Sequence, residues 1–153
     1  MSRDHGRTPM QWDGSPHAGF TTGTPWIAVN PDHAEVNAAA QVDDPGSVFA
    51  HHRRLIDLRH ADPVVTDGDF ALLLPEHPTV WAFLRRGAEA ELLVAANLSG
   101  TEVQVDLPLD GDWSGAEVVI ANLPAPGRPT GLVLRPWESV VWRRGSRDVD
   151  RHA

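Results

Sequence analysis

Cysteine and lysine are both absent from this 153-residue chain. The lack of cysteine excludes disulfide bonds, thiolate metal sites and cysteine nucleophiles. The chain also lacks a run of about twenty apolar residues, the length that a membrane-spanning helix needs, so we expect no membrane partner. Its first residues contain no apolar segment of the kind that secretory signals carry. These absences together predict a cytoplasmic globular protein.

Positive charge is scarce as well. Thirteen arginines stand against 21 acidic residues, which gives a net charge of -8 at pH 7. Because nucleic acids are bound mainly through positive side chains on phosphates, this balance argues against a nucleic-acid partner. Hydrophobic residues make up 41% of the chain and charged residues 22%. Both values are close to the average of globular domains, so the chain can form a core.

The N-terminal third is dense in proline and glycine. Pro9, Pro16, Pro25, Pro31 and Pro45 interrupt every apolar period over residues 1–45, which predicts a long loop. Loops of this length are uncommon inside a compact domain. We therefore expect this loop to pack against something else.

An amphipathic helix is predicted over residues 46–62. Asp44 fits the N-cap, Pro45 fits the first helical position, and Asp62-Pro63 ends the pattern. The apolar side chains of this helix are Val48, Phe49, Leu55, Ile56 and Leu58. A sandwich domain can cover only part of this apolar face, so we expect self-association through the rest.

After Pro63 the apolar period changes to two, which predicts β-strands. The predicted strands are Gly68–Leu74, Thr79–Arg86, Glu91–Leu98, Glu102–Leu107, Ala116–Ala121, Gly131–Arg135 and Trp137–Arg143. The pattern indicates a mainly β protein, with an antiparallel β-sandwich preceded by the long loop and one amphipathic helix. The predicted organisation is residues 1–62, then the sandwich over residues 63–144, then a polar, disordered tail over residues 145–153.

The loop concentrates arginine, acidic and tryptophan residues. It reads Arg3-Asp4-His5-Gly6-Arg7-Thr8-Pro9-Met10-Gln11-Trp12-Asp13, followed by Ala18-Gly19-Phe20 and Thr24-Pro25-Trp26. Guanidinium and carboxylate groups bond sugar hydroxyls in fixed geometry, and indole rings cover the apolar faces of pyranoses. The alternative is that the arginines only tie the loop down through salt bridges.

The order of these residues resembles family-13 glycoside hydrolases of the α-amylase superfamily, and within them the α-glucosidase and oligo-1,6-glucosidase branch. The similarity continues through Val29-Asn30-Pro31, the predicted helix and, more weakly, the segment Leu134–Trp142. It implies that residues 1–62 form the end of a (β/α)8 catalytic barrel and that the sandwich is the family's C-terminal domain. It further implies a retaining enzyme that hydrolyses or transfers terminal α-linked glucose of oligosaccharides, without a metal or cofactor.

Within this resemblance, Arg7 corresponds to the arginine at the bottom of the family's sugar pocket. Arg3 and Asp4 are expected to brace the loop, and the three together are the candidate substrate-binding residues. The family's catalytic carboxylates lie on earlier barrel strands, and a complete barrel takes about 250 residues. Retaining chemistry needs two carboxylates about 5 Å apart, so we expect this chain alone to be inactive.

Two other functions stay open: a stand-alone carbohydrate-binding module, and a structural partner that completes a truncated barrel. The module would use exposed tryptophans, but the alternation favours core or barrel contacts for Trp81, Trp113, Trp137 and Trp142. His51 and His52 are adjacent and cannot share a helix face, so we expect no metal site there. Asn97-Leu98-Ser99 matches the glycosylation pattern, which without a secretory signal should stay unmodified.

Overall fold

The computed structural model describes residues 6–146, so Arg3, Asp4 and the tail from residue 147 lie outside the described residues. The chain divides into two compact units, Met1–Arg54 and Leu55–Ala153. The domain boundaries inferred from the sequence, at residues 62 and 144, stay predictions. Within residues 6–146, no helix is long and apolar enough to cross a membrane.

From residue 6 to residue 45 the first unit is largely irregular, as the sequence indicated. This part contains the 3-10 segments Pro16–Gly19, which is kinked, and Pro31–Ala34, together with a short helix, α1 (Ala38–Val42). The side chain of Asn37 caps α1 by accepting a hydrogen bond from the Ala40 N–H at 2.9 Å. The sequence analysis missed α1 because five residues are too few to display a helical apolar period.

Helix α2 spans Val48–Ala61, inside the predicted range, but its predicted cap is wrong. The Ser47 hydroxyl accepts from the Ala50 N–H at 3.1 Å and so caps the helix. The carboxylate of Asp44 instead accepts from the Gly46 N–H at 2.8 Å. Asp44 and the following proline therefore form the turn that precedes α2.

The apolar side chains of α2 are largely uncovered, as expected. The exposed fraction is 78% for Val48, 43% for Phe49, 40% for Leu55 and 45% for Ile56. Leu58 is half-buried, and α2 contains no fully buried side chain. Self-association through this face stays a prediction.

A further helix, α3 (Pro63–Asp67), follows α2 directly, and Asp62 is its N-cap. The Asp62 N–H still donates to the Leu58 carbonyl at 2.9 Å, while its Oδ1 accepts from the Val64 N–H at 3.0 Å. An aspartate cap followed by proline is a helix-start signal. The sequence analysis used it only as a stop. The other carboxylate oxygen, Oδ2, accepts from Arg143 Nε at 2.9 Å.

The strands that follow agree with the predicted ones to within two residues at each end. They are β1 (Asp69–Leu72), β2 (Val80–Arg86), β3 (Ala90–Asn97), β4 (Val103–Val105), β5 (Glu117–Ala121), β6 (Leu132–Leu134) and β7 (Ser139–Gly145). One sheet has the order β1-β2-β3-β7-β5 and the other pairs β4 with β6. All of these pairs are antiparallel. The predicted mainly β, antiparallel class is confirmed.

The core lies between the two sheets and contains two of the four sandwich tryptophans. Trp113 and Trp142 are each 1% exposed and pack with buried residues of both sheets. These partners are Val80, Ala82, Leu84, Leu93, Ala95, Val140, Val105, Leu132 and Leu134. Because alternate residues of β2 face this core, Trp81 points to the opposite face and is 52% exposed. Trp81 and Trp137, which is 63% exposed, thus lie outside this core, and the barrel contact that was the other expectation for them stays a prediction.

Strand β7 ends one residue inside the segment predicted as the polar tail. Gly145 belongs to β7 and pairs with Ala90, and the Ser146 N–H donates to the Glu89 carbonyl at 2.7 Å. The sheet ladder thus continues past residue 144, where the tail was predicted to begin. Residues 147–153 lie outside the described residues.

Candidate functional site

The loop of the first unit is organised around Ala18 and Asp13. The N–H groups of Trp12 and Asp13 donate to the buried Ala18 carbonyl at 2.9 and 3.3 Å. Gly19 has a φ of +65°, and a Cβ there would lie 2.6 Å from Asp13 Oδ2, so only glycine fits. The Ser15 hydroxyl and, less strongly, the Ser15 N–H donate to the Asp13 carboxylate and lower its pKa. This carboxylate stabilises the turn.

Gln11 connects distant parts of the same loop. Its Nε2 donates to Asp32 Oδ1 at 3.1 Å and to the Val36 carbonyl at 2.6 Å. Its Oε1 accepts from Asn30 Nδ2 at 3.3 Å, and its backbone carbonyl accepts from the Ala38 N–H at 2.9 Å. A side-chain amide can do this because it carries both donors and an acceptor. The sequence analysis missed this role because the partners are far away in the chain.

Arg7, the central candidate residue, lies over the ring of Trp26. Its guanidinium carbon is 5.1 Å from the ring centroid, within the range of a cation–π contact. Arg7 is exposed, and Trp26 is 82% exposed. A guanidinium and an indole face are therefore both accessible at one place. The sequence predicted Arg7 but not its partner, since nothing in the spacing links the two residues.

Arg3 and Asp4, the other two candidate residues, lie outside the described residues. Their expected role as braces of the loop stays a prediction. For Arg7, the contact that the structure shows is aromatic. The salt-bridge alternative for the loop arginines stays a prediction.

The buried carboxylate of the sandwich, Glu138, has a structural partner. Arg135 donates from Nη2 to Oε1 at 2.7 Å and from Nε to Oε2 at 3.0 Å, and its backbone N–H donates to Oε2 at 2.8 Å. The guanidinium hydrogen bonds are the main reason that the pKa of Glu138 is lowered. A carboxylate held ionised in this way is unsuited to donate a proton to a leaving group.

A second group of charges lies at the edge where β2, β3 and β7 meet. Glu91 accepts from Arg144 Nε at 2.7 Å and pairs with Arg86 Nε at 3.2 Å. Arg144 also lies 4.0 Å above the Trp113 ring and donates to the Asp112 carbonyl at 2.8 Å. Arg144, which is paired with Glu91, therefore connects the loop before β5 to the sheet.

Two further candidates from the sequence have structural explanations. Burial and, to a smaller extent, the charge of Arg54 lower the pKa of His51. Among residues 6–146, no group of three or more histidine or acidic side chains is placed to hold a metal ion. Asn97 is 1% exposed, and its Nδ2 donates to the carbonyls of Thr101 at 2.7 Å and Arg135 at 3.0 Å. The nitrogen that glycosylation would modify is therefore buried and hydrogen-bonded.

The second unit carries an apolar groove of about 400 Å³. Leu55 and Leu58 of α2 line one side, and the outer face of the larger sheet lines the other. On that face the ring of Phe83 lies 5.2 Å from the Phe70 ring and 5.4 Å from the Trp81 ring. The groove thus continues the uncovered apolar face of α2.

Two protein-family models match this chain, one over its N-terminal part and the other over most of its strands. Residues 1–68 match the catalytic domain of alpha amylase, and residues 80–141 match the C-terminal domain of the alpha-amylase SusG. The first match includes the loop and α2, and the second covers most of the sandwich.

Individual relatives match nearly the whole chain. An oligo-1,6-glucosidase of Heyndrickxia coagulans is 44% identical over 92% of the chain, and a trehalose-6-phosphate hydrolase of Bacillus subtilis is 43% identical over 93%. These matches cover 24% and 26% of the two relatives.

Solved structures give the same result. A trehalose-6-phosphate hydrolase of Bacillus licheniformis superimposes with a TM-score of 0.88 and 40% identity over 95% of this chain and 27% of its own. An isomaltulose synthase of Erwinia rhapontici superimposes with a TM-score of 0.84 and is 39% identical in sequence. This match covers 93% of this chain and 26% of the synthase. The chain thus spans about a quarter of the length of the relatives it matches.

Proposed function

This chain belongs to the α-amylase superfamily, as the C-terminal part of a family-13 glycoside hydrolase, and we propose that it serves an α-glucosidase acting on terminal α-linked glucose of oligosaccharides. Residues 1–62 are assigned to the end of the catalytic barrel and residues 63–144 to the C-terminal sandwich. The observation that carries the proposal is the exposed pair of Arg7 and Trp26 on the loop that matches a catalytic domain.

In this proposal Arg7 donates hydrogen bonds to hydroxyls of the bound glucose. Its guanidinium carries several donors in a rigid plane, and the face of Trp26 holds that plane in place. Trp26 itself offers an apolar face that suits a pyranose ring. Arg3 and Asp4 brace the loop segment that leads to Arg7.

In this proposal the catalytic carboxylates come from another part of the barrel, outside this chain. Retaining chemistry needs a carboxylate pair about 5 Å apart on the two sides of the scissile bond. The carboxylates of Glu138, Glu91 and Asp62 bind arginines, and that of Asp13 binds Ser15. These four groups therefore have structural roles. In the proposal, the chain contributes substrate binding and support but no catalytic acid or base.

The uncovered apolar surface supports the same assignment. Helix α2 exposes Leu55 and Ile56, and the neighbouring groove exposes Phe70 and Trp81. Contiguous apolar surface of this kind typically marks a contact with another protein surface. The proposed contact is the remainder of the barrel, and the proposed location of the assembled enzyme is the cytoplasm.

The test is a chimera with the Heyndrickxia coagulans oligo-1,6-glucosidase, in which this chain replaces the matching C-terminal quarter. We expect the chimera to hydrolyse isomaltose or p-nitrophenyl α-glucoside. Substituting Arg7→Ala in the chimera should lower kcat/KM at least tenfold, because a charged hydrogen bond to the sugar is lost. Such bonds contribute about 1.5–3 kcal/mol.

The matched control is Arg53→Ala, which removes an exposed arginine from α2 and should leave kcat/KM within twofold. A folded chimera without activity would contradict the assignment of the chain to an α-glucosidase. Equal kcat/KM values for the Arg7→Ala chimera and the unsubstituted chimera would contradict the role of Arg7.

A further inference from the structure

Trp137 has an unusual backbone conformation for a large aromatic residue. Its φ is +58°, in the left-handed region that glycine and asparagine normally occupy. It occupies the third position of a turn in which Pro136 is second and the Glu138 N–H donates to the Arg135 carbonyl at 3.2 Å. Type II turns require a positive φ at this position, and glycine is the usual residue there. A strained residue of this kind persists only where its surroundings fix it.

The surroundings of Trp137 do fix it. Its N–H donates to the Ser99 carbonyl at 3.0 Å, and its carbonyl accepts from Asn122 Nδ2 at 2.7 Å. The turn is further anchored by the buried Glu138 carboxylate, which Arg135 binds through both oxygens. The backbone of Trp137 is therefore tied to two other segments of the sandwich.

The indole itself remains open to solvent, since Trp137 is 63% exposed. Gly100 lies beside one edge of the ring, since a Cβ placed on it would be 3.7 Å from the indole Nε1, an ordinary contact distance. The residues that contact the turn backbone, Ser99 and Asn122, are polar and uncharged. The two nearby charges, on Arg135 and Glu138, bind each other.

An exposed indole on a hydrogen-bonded backbone, with neutral polar groups around that backbone, matches a neutral ligand that has an apolar face and hydroxyls. Pyranose rings have this chemistry, because their C–H groups present a flat apolar face to the ring and their hydroxyls point outward. An anionic ligand is disfavoured by the net charge of -8. Because the backbone that carries the ring is already ordered, binding does not have to order it.

We propose that Trp137 is the stacking platform of a surface site for α-linked gluco-oligosaccharides, separate from the loop that carries Arg7. The choice of α-linked glucose rests on the proposed function. The stacking itself rests only on the geometry of the turn. Such a site would hold a substrate chain on the sandwich and raise its local concentration near the enzyme.

The test follows the indole N–H signals of the full chain by NMR during titration with maltotriose, isomaltotriose and cellotriose. The chain has six tryptophans, so the signal that disappears in Trp137→Ala identifies this residue. We expect a saturable shift of this signal with the two α-linked sugars. Because the variants of this residue lack the signal, their binding is measured by isothermal titration calorimetry. Trp137→Ala should weaken binding at least tenfold, and Trp137→Phe should restore part of it.

Two control variants distinguish loss of the stacking ring from loss of the folded structure. Trp137→Gly removes the ring but suits the positive φ, so it should fold at least as stably as the unsubstituted chain and still fail to bind. Phe70→Ala removes a ring of similar exposure, 54%, from β1 at the edge of the sheet, and should bind within twofold of the unsubstituted chain. Normal binding by Trp137→Gly would overturn the proposal.

The remaining outcomes separate this site from the proposed function. Binding lost in Trp26→Ala but kept in Trp137→Ala would place the sugar on the loop and overturn the surface site. Equal shifts with cellotriose would overturn the α-linked class. A signal that moves only with protein concentration would instead identify a contact between copies of the chain. None of these outcomes depends on glucosidase activity, which the chimera tests independently.

Discussion

Arg135 and Glu138 form a bidentate ion pair across a single turn, with 2.7 Å from Nη2 to Oε1 and 3.0 Å from Nε to Oε2. The glutamate is 1% exposed, whereas the arginine side chain is 39% exposed. The two residues thus stand in different environments, and the consequences of removing each one differ.

We predict that Glu138→Gln destabilises the sandwich by about 1–3 kcal/mol, because it weakens the guanidinium bonds but retains one acceptor. Arg135→Ala should destabilise it more, because it leaves a buried carboxylate without its cation. Urea unfolding followed by circular dichroism measures both. The reverse order of stability would show that the carboxylate is already well solvated.

The stability of the chain should fall in acid, and Glu138 should contribute to the fall. Hydrogen bonds from Arg135 hold the pKa of Glu138 below the ordinary value of 4.5. The unfolded state therefore takes up the proton first, and the stabilisation is present above about pH 4.5 and is lost as the pH falls through the folded-state pKa. Urea midpoints between pH 3 and 6 should show a shallower slope for Glu138→Gln than for the unsubstituted chain.

The purified chain alone should not hydrolyse p-nitrophenyl α-glucoside. Leaving-group protonation and stabilisation of the oxocarbenium ion need a carboxylate pair, and we assign that pair to a part of the barrel outside this segment. Release of p-nitrophenol should stay at the level of buffer. Turnover clearly above buffer, and abolished by a substitution in this chain, would contradict this assignment.

The exposed face of α2 should make the isolated chain bind a hydrophobic dye. Leu55 and Ile56 are 40% and 45% exposed, and full burial of such a side chain contributes about 1.5–3 kcal/mol. The double substitution Leu55→Glu with Ile56→Gln should therefore reduce dye binding and improve solubility without unfolding the sandwich. Leu84→Gln, at a buried core position, is the control that should unfold it. Unfolding by the double substitution would show that α2 is essential to the sandwich.

Residues 55–146 should fold without the loop. They form a compact unit whose core lies between the two sheets. Expressed alone, this segment should give a strand-dominated circular dichroism spectrum and one cooperative unfolding transition. A spectrum typical of an unfolded chain would show that the first 54 residues are needed for folding.

The sequence was sufficient for the strands but not for every side chain on them. Period-two alternation located β2, because alternate residues of a strand share one face. Alternation does not say which face is buried, however, since a shift of one residue changes the face of every side chain. It therefore could not separate a core position from a barrel contact for Trp81, and the structure shows that Ala82 and Leu84 face the core instead.

The contact between Arg7 and Trp26 could be predicted only in part. Motif order identified Arg7, but its contact with Trp26 depends on the path of an irregular loop that Gln11 holds together through distant partners. Neither periodicity nor composition encodes such a path. The positive φ of Trp137 could not be predicted either. Tertiary contacts impose this conformation, and tryptophan has no intrinsic preference for it.

Asp62 has a consequence for the order in which the chain folds during synthesis. One oxygen of its carboxylate starts α3, and the other binds Arg143, which lies 81 residues later. At ribosomal rates of about 5–20 residues per second, Arg143 is made roughly 4–16 s after Asp62. The junction between α2 and α3 is therefore left without its arginine until β7 has emerged. A nascent chain that stalls before β7 would carry an unpaired carboxylate at this junction and an incomplete larger sheet.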